Sequence, residues 1–212
     1  MKLYKAKDFI ERYFDIYCKL PVGVDEAGRG CIAGPVVACA SYIPEDIKLR
    51  GLADSKILTP IERERIYRKV KKIKEIKFAF GIISPYKIDR MNIRNASFLA
   101  MRIALKKLKI PFDFVIVDGF EIPDLPYPQK GIIKADAKID CVSLAGILAK
   151  VKRDRIMERY AKIYPQYGFE RHKGYPTKEH IEKIKIFGIS KIHRKSFKPL
   201  KEILNEKNTF SR

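Results

Sequence analysis

Cysteine and histidine are scarce in this chain, and neither is spaced to hold a metal. Cys18, Cys31, Cys39 and Cys141 form no CxxC pair and have no clustered histidines. That excludes a zinc site, and in a chain of 212 residues it implies no disulfide framework. Cys39 and Cys141 sit in apolar runs and read as small core residues. His172, His180 and His193 make no ligand pair at helical spacing, and no Ser/His/Asp triad has support in the sequence. Long apolar runs are missing too. Glu11, Arg12 and Asp15 interrupt the first twenty residues, so they are not a signal peptide. Nothing approaches the roughly 20 apolar residues of a membrane span. The expectation is a cytoplasmic protein with no membrane partner. Repeats, low-complexity segments and a basic or acidic tail are also lacking.

What the chain has is positive charge, with Lys+Arg 45 against Asp+Glu 25 and a formal excess of +20. The halves on either side of residue 106 each carry +10, so the charge belongs to the folded body. A basic body points to a polyanion, most often nucleic acid. A heat-adapted surface rich in Lys, Glu and Ile is the plainer reading of the same composition. Hydrophobic residues make up 46%, enough for a sizeable core at a length that suits one domain.

Residues 7–17 read as a short amphipathic helix, 22–25 as a strand, and 34–42 as a second strand close enough to pair with it antiparallel. Thr59-Pro60-Ile61-Glu62 opens a helix with a capping box and Pro at its first position. Ile61, Ile66, Tyr67, Val70 and Ile73 form its expected apolar stripe. A strand follows at 77–84, a helix at 92–108, a strongly apolar strand at 112–118 and a short strand at 131–134. A long helix covers 138–163. Residues 164–177 read as loop, 178–187 as a helix and the remainder as a tail. This order predicts an α/β domain around a mixed central sheet flanked by helices, with a helical C-terminal part.

The chemistry concentrates in Gly23-Val24-Asp25-Glu26-Ala27-Gly28-Arg29-Gly30. In so basic a chain, two adjacent carboxylates at a strand end suit a hard divalent cation. The Gly-Arg-Gly turn suits close approach of backbone to a polyanion. Neighbouring strand residues point to opposite faces, so Asp25 and Glu26 reach one site only if the strand ends or bulges there. Asp118 ends the most apolar strand just before Gly119, where open α/β sheets place their sites. Asp136, Asp140 and Asp154 are further acidic candidates, each with a plain reading as a helix cap or ion-pair partner, and spacing does not choose among them. Arg171-His172-Lys173-Gly174-Tyr175-Pro176-Thr177 combines cations, glycine and a ring, which suits phosphates and a stacked base or sugar. Residues 193–198 form a second basic patch.

Beyond these, the motifs GVDEAGRG (23–30), AGPVVA (33–38), LADSKILT (52–59), NIRNASFLAM (92–101), VDG (117–119), KADAK (134–138), LAKVKRDRIM (148–157), YGFERHKGYPT (167–177) and HRKSF (193–197) occur in this order. With them the chain resembles the type 2 ribonucleases H, the bacterial ribonuclease HII family. Arg29, Asp136 and the short N-terminus favour type 2 over type 3 relatives. The run 142–147 and Ala135 depart from the usual pattern beside Asp136 without removing a ligand.

The resemblance implies a ribonuclease H-like fold over 1–212, with an N-terminal helical arm at about 1–20 and a basic helical region at about 164–212. It also implies four metal-binding carboxylates, Asp25, Glu26, Asp118 and Asp136, holding two Mg²⁺ or Mn²⁺ ions. The implied substrates are RNA/DNA hybrids and DNA duplexes containing ribonucleotides, acted on by a monomer. The backbone of Gly28, Arg29 and Gly30 would read the 2′-hydroxyl, and Tyr175 would pack on the junction sugar. Lys56, His172, Lys173 and the 193–198 patch would bind phosphates. Two other readings use the same charge and fold: a non-catalytic nucleic-acid-binding module, and a related nuclease acting on DNA alone.

Overall fold

Hydrophobic alternation in two short strands sets the frame. The computed structural model describes residues 3–53, 55 and 57–209. In chain order its elements are α1 (Ala6–Phe14), β1 (Pro21–Ala27), β2 (Val36–Tyr42), α2 (Pro60–Val70), β3 (Lys77–Ile83), α3 (Pro85–Lys107), β4 (Phe114–Asp118) and β5 (Gln129–Ile132). A 3₁₀ turn at Ala135–Ala137 leads to α4 (Asp140–Ile163), and another at Pro165–Tyr167 leads to α5 (Phe169–His172), α6 (Lys178–Phe187) and α7 (Lys198–Thr209). The sheet order is β3-β2-β1-β4-β5. β1–β2 and β2–β3 are antiparallel, while β4 lies parallel to both β1 and β5. Residues 43–113, with α3 among them, provide the crossover that a parallel β1–β4 pair needs. This is a mixed sheet with helices on both faces and a helical C-terminal part.

The two faces bury different sets. Val22 and Val24 of β1 pack with Val115 and Val117 of β4 against Met101, Ala104 and Leu105 of α3. The alternate residues Phe114 and Ile116 pack with Cys39 against Leu144, Ala145 and Leu148 of α4. Asp25 and Asp118 continue the α4-facing alternation at their strand ends, and Glu26 falls on the α3 side. A third cluster of Ile32, Ala33, Met157, Tyr167, Phe169, Ile184 and Ile192 ties the C-terminal helices to the β1–β2 connection.

Several element boundaries differ from expectation, each for a local reason. The strand at Asp25 neither ends nor bulges: Glu26 pairs with Ala38 and Ala27 with Val37. α1 stops at Phe14, because Asp15 takes a left-handed conformation with φ 53°. The capping box at Thr59 forms as expected. Ile61, however, is exposed, since it sits in the first turn, away from the α4-facing side that Ile66, Tyr67 and Val70 bury. α3 starts seven residues before the expected Asn92, at Pro85 with Ser84 as cap. Asn92 (φ 65°) kinks it, and its Oδ1 accepts the Asn95 N–H at 3.0 Å, a second cap inside one helix. The expected tail contains α7, and the expected loop contains α5.

Candidate active site

Adjacent parallel strands bring Asp25 and Asp118 side by side, and the 3₁₀ turn after β5 adds Asp136. Ligand oxygens of these three carboxylates lie within 4.8 Å of one another. Asp118 Oδ1 accepts the Ala135 N–H at 2.8 Å, which ties the end of β4 to the turn carrying Asp136. Lys134 enters that turn in the left-handed region (φ 57°). Asp25 Oδ1 accepts the Glu26 N–H at 2.6 Å. Its Oδ2 lies against Gly146 of α4, where a Cβ would collide with it, so only glycine leaves room for the carboxylate. Burial pushes the Asp25 carboxyl well above the usual carboxylate range, and the charges of Glu26, Asp118 and Asp136 push it the same way. Buried carboxylates of like sign with converging oxygens are the donor set of a hard divalent cation.

Glu26 is not in this cluster. Its Oε1 lies 3.3 Å from Arg29 Nη1 on the α3 side. The two competing aspartates are engaged elsewhere. Asp140 pairs with Lys5 at 3.2 Å, and Asp154 with Lys150 at 2.8 Å and Arg63 at 3.9 Å.

The Gly-Arg-Gly turn is held from behind by two arginines that are wholly buried, Arg153 of α4 and Arg194. Arg153 donates from Nε to the Pro35 carbonyl (3.0 Å), from Nη2 to Ala33 (3.0 Å) and from Nη1 to Lys173 (2.9 Å). Arg194 donates to the carbonyls of Gly34 (2.9 Å) and Arg29 (3.2 Å). Burial, reinforced by Arg153, lowers the Arg194 guanidinium to about 9. Gly28 adopts φ 100°, and a Cβ there would strike the Arg153 side chain, so this position requires glycine. Nothing crowds Gly30.

Tyr175 lies beside this turn. The Gly174 carbonyl accepts the N–H of Ile32 (2.9 Å), and Lys150 Nζ stands 5.7 Å from the Tyr175 ring centroid. Beneath it His193 and His180 form a hydrogen-bonded relay. His193 Nδ1 accepts the Ser190 N–H (2.8 Å), which leaves the proton on Nε2 to reach His180 Nε2 at 3.0 Å. His180 Nδ1–H then donates to the Tyr175 carbonyl at 2.8 Å. Burial lowers His180 to about 4 and His193 to about 3.

Two expected phosphate contacts are corrected by burial. His172 is buried, with Nε2 on the Tyr167 carbonyl (2.8 Å) and Nδ1 on the Gly174 N–H (3.2 Å), so neither nitrogen faces a ligand. In the 193–198 patch His193 and Arg194 are interior, and the Asp89 carboxylate caps the N–H groups of Lys195 and Ser196 at 3.0 Å each. Lys173 pairs with Glu158 at 2.8 Å. Lys56 lies outside the described residues. Sequence reasoning missed Arg153 and Arg194. The available signal was a charge at four-residue spacing among Ala145, Ala149 and Met157, on the buried face of α4.

Residues 22–200 match the family described as Ribonuclease HII. The chain is 50% identical over 182 residues to the Ribonuclease HII of Caldicellulosiruptor saccharolyticus, covering 86% of this chain and 87% of that one. It is 47% identical over 186 residues to the Ribonuclease HII of Francisella tularensis subsp. tularensis, covering 87% and 98%. Among solved structures it is similar to the ribonuclease H2 from Pyrococcus horikoshii OT3, with a TM-score of 0.74, 28% identity and coverage of 90% and 99%. On these matches and this fold, the chain belongs to the ribonuclease HII family of ribonuclease H endonucleases.

Proposed function

We propose that this protein hydrolyses the RNA strand of RNA/DNA hybrids and cuts at single ribonucleotides in duplex DNA, leaving 3′-hydroxyl and 5′-phosphate ends. Its work in the cell is then removal of ribonucleotides and RNA primers from DNA, carried out by a cytoplasmic monomer acting as one catalytic unit. The observation that carries this reading is the convergence of Asp25, Asp118 and Asp136 beside the Gly28–Gly30 turn and Tyr175.

Asp25, Asp118 and Asp136 bind divalent cation, Mg²⁺ or Mn²⁺, and Glu26 completes the set from the other sheet face. Its charge is among those that raise the Asp25 carboxyl, which supports its place there. Two such ions, when bound, supply the charge that activates water and stabilises the leaving 3′ oxygen. No side chain acts as nucleophile.

The chain's own part is positioning. Main-chain groups of Gly28, Arg29 and Gly30, clamped by Arg153 and Arg194, hydrogen-bond the 2′-hydroxyl, the one local mark of a ribonucleotide. Tyr175, half exposed and fixed through its own carbonyl, packs on the junction sugar and excludes water. Lys173 and Lys56 contact phosphates without reading sequence. His172 supports the Gly174 backbone.

The test is a DNA duplex containing one ribonucleotide, incubated with and without Mg²⁺ or Mn²⁺ and mapped for the cut. Divalent-dependent scission at the ribonucleotide is expected. Salt-sensitive binding without scission, or cutting of an all-DNA duplex at equal rate, overturns the proposal.

A further inference from the structure

Nothing in the proposed reaction uses Asp154, which follows the buried Arg153 on α4. Its carboxylate nonetheless holds two cations from two different elements. Oδ1 accepts from Lys150 Nζ at 2.8 Å, one helical turn back on α4, and Oδ2 lies 3.9 Å from Arg63 Nη2 of α2. The three side chains are withdrawn from water, with exposures of 15% for Asp154, 21% for Lys150 and 9% for Arg63. An ion pair on a solvated helix face fixes little, whereas breaking one enclosed between two helices leaves a charge with little water to take it up.

Each cation passes the constraint to a different place. Arg63 Nη1 donates to the carbonyls of Ser55 (2.8 Å) and Leu58, so the planar guanidinium is fixed before it meets Asp154. Lys150 has a flexible four-carbon stem, and its ammonium stands over the Tyr175 ring, 5.7 Å from the centroid. The main chain of Tyr175 is held at both ends: its N–H donates to the His172 carbonyl at 2.9 Å, and its carbonyl accepts from His180 Nδ1 at 2.8 Å. The ring itself stays 44% exposed. Backbone contacts place the start of the side chain and leave the direction of the ring open. A cation held against its face sets that direction.

A chain of charge therefore runs from α2 through Asp154 and Lys150 to the ring. We propose that Asp154 is a positioning residue for Tyr175: it holds Lys150 over the ring, and Arg63 in turn fixes Asp154. The inference rests on the proposed packing of Tyr175 on the junction sugar. Charge does this work and size does not. An amide at position 154 can still accept one hydrogen bond, but it leaves Lys150 and Arg63 as like charges with no carboxylate between them, and the lysine head turns to water. Tyr175 then loses its set direction, and the protein loses part of its preference for a ribonucleotide junction over a uniform hybrid.

A double-mutant cycle tests it. Wild type, Asp154→Asn, Tyr175→Ala and the double variant are compared, each below its melting temperature, for kcat/KM on a duplex with one ribonucleotide and on a uniform RNA/DNA hybrid. Asp154→Asn should lower the ratio of the first to the second about two- to fivefold, the scale of one cation–π contact, and add nothing in the Tyr175→Ala background. Lys150→Met should give the same loss, and it carries the cycle if Asp154→Asn folds poorly. An equal loss on both substrates, or one that multiplies with Tyr175→Ala, makes Asp154 an ordinary ion-pair partner and overturns the proposal. A second readout needs no cutting. In ¹³C-lysine-labelled protein the ε-methylene protons of Lys150, assigned with Lys150→Arg, should show a ring-current shift that both Tyr175→Leu and Asp154→Asn remove. If Asp154→Asn removes the shift while Tyr175→Ala leaves the substrate ratio unchanged, Asp154 positions the ring and the junction role of Tyr175 fails. If the shift persists in Asp154→Asn, the positioning role fails whatever the ratio does.

Discussion

Within ten residues of β1 the molecule buries charge in two opposite ways. At the strand end Asp25 is enclosed with Asp118 and Asp136 for neighbours, all of one sign, and its carboxyl is driven up by burial and by them. Around the turn that follows, Arg153 and Arg194 are buried just as deeply, yet five of their N–H groups donate to the backbone carbonyls of Arg29, Ala33, Gly34, Pro35 and Lys173. The first arrangement raises its own free energy until a cation arrives. The second is answered by backbone carbonyls at five N–H groups, with the buried Arg194 Nη2 left over, and ties distant segments together. A site for chemistry and a site for geometry thus differ less in burial than in what is set against the charge, like-signed carboxylates in one case and backbone carbonyls in the other.

The contrast breaks most sharply at the carboxylates. Asp118→Asn or Asp136→Asn is expected to lower cleavage by at least about 10²–10³-fold, the scale for removing one preorganised electrostatic group, with duplex binding retained in a fluorescence-anisotropy titration. Normal cleavage by Asp136→Asn would remove Asp136 from the ligand set.

On the other side of the comparison, Arg153→Met removes the guanidinium donor from two buried carbonyls, Ala33 and Pro35, and from the part-buried Lys173 carbonyl. It should cost about 1–3 kcal/mol for each buried carbonyl left unsatisfied, read in urea unfolding, a loss that added Mg²⁺ does not restore. Wild-type stability in that variant would mean the clamp is ornamental.

Asp25→Asn sharpens the distinction because it moves stability and activity in opposite directions. A carboxyl raised above its unfolded value gives stability that is present at acid pH and lost as pH rises through the raised value. Metal-free Asp25→Asn should therefore melt higher than wild type at pH 7, by about 2–4 °C per kcal/mol relieved, with the gap closing as pH falls toward the ordinary carboxylate range. Divalent cation should stabilise wild type and leave the variant unmoved in the same thermal scan.

The histidine relay gives a sign of its own. His180 and His193, lowered to about 4 and about 3, contribute stability that is complete above pH about 6.5 and lost as pH falls toward those values. His193→Asn should flatten part of that acid slope; an unchanged slope in pH-dependent denaturation would show that the relay is not buried neutral. Least in size, Tyr175→Ala should slow cutting at a lone ribonucleotide about tenfold while Tyr175→Phe does not, measured as kcat/KM, because the ring and not the hydroxyl excludes water from the sugar.

Much of this was legible in the residues because it rests on local patterns. The capping box at Thr59, the apolar 112–118 run and the long helix before Tyr164 announced themselves by spacing and punctuation. The meeting of Asp25 and Asp118 followed from strand ends, although only the family resemblance chose Asp136 over Asp140 and Asp154. What stayed hidden depends on contacts distant in sequence. Arg153 reaches carbonyls 118 and 120 positions away, and nothing local separates such an arginine from a solvated one. Arg194 and His172 were misread as surface groups for the same reason, since basic composition says how many cations a chain has and not which of them the fold encloses. The kink at Asn92 hid a helix start, because one cap inside a helix looks like the beginning of another.

Arg153 carries one more consequence. A single guanidinium grips Ala33 and Pro35, next to the turn proposed to read the 2′-hydroxyl, and Lys173, next to the segment that carries Tyr175. On the proposed reading, the two parts of sugar discrimination are therefore one mechanical body. Selection, natural or in the laboratory, cannot retune one without disturbing the other, and variants with altered sugar preference are to be sought as paired changes on both sides of that arginine.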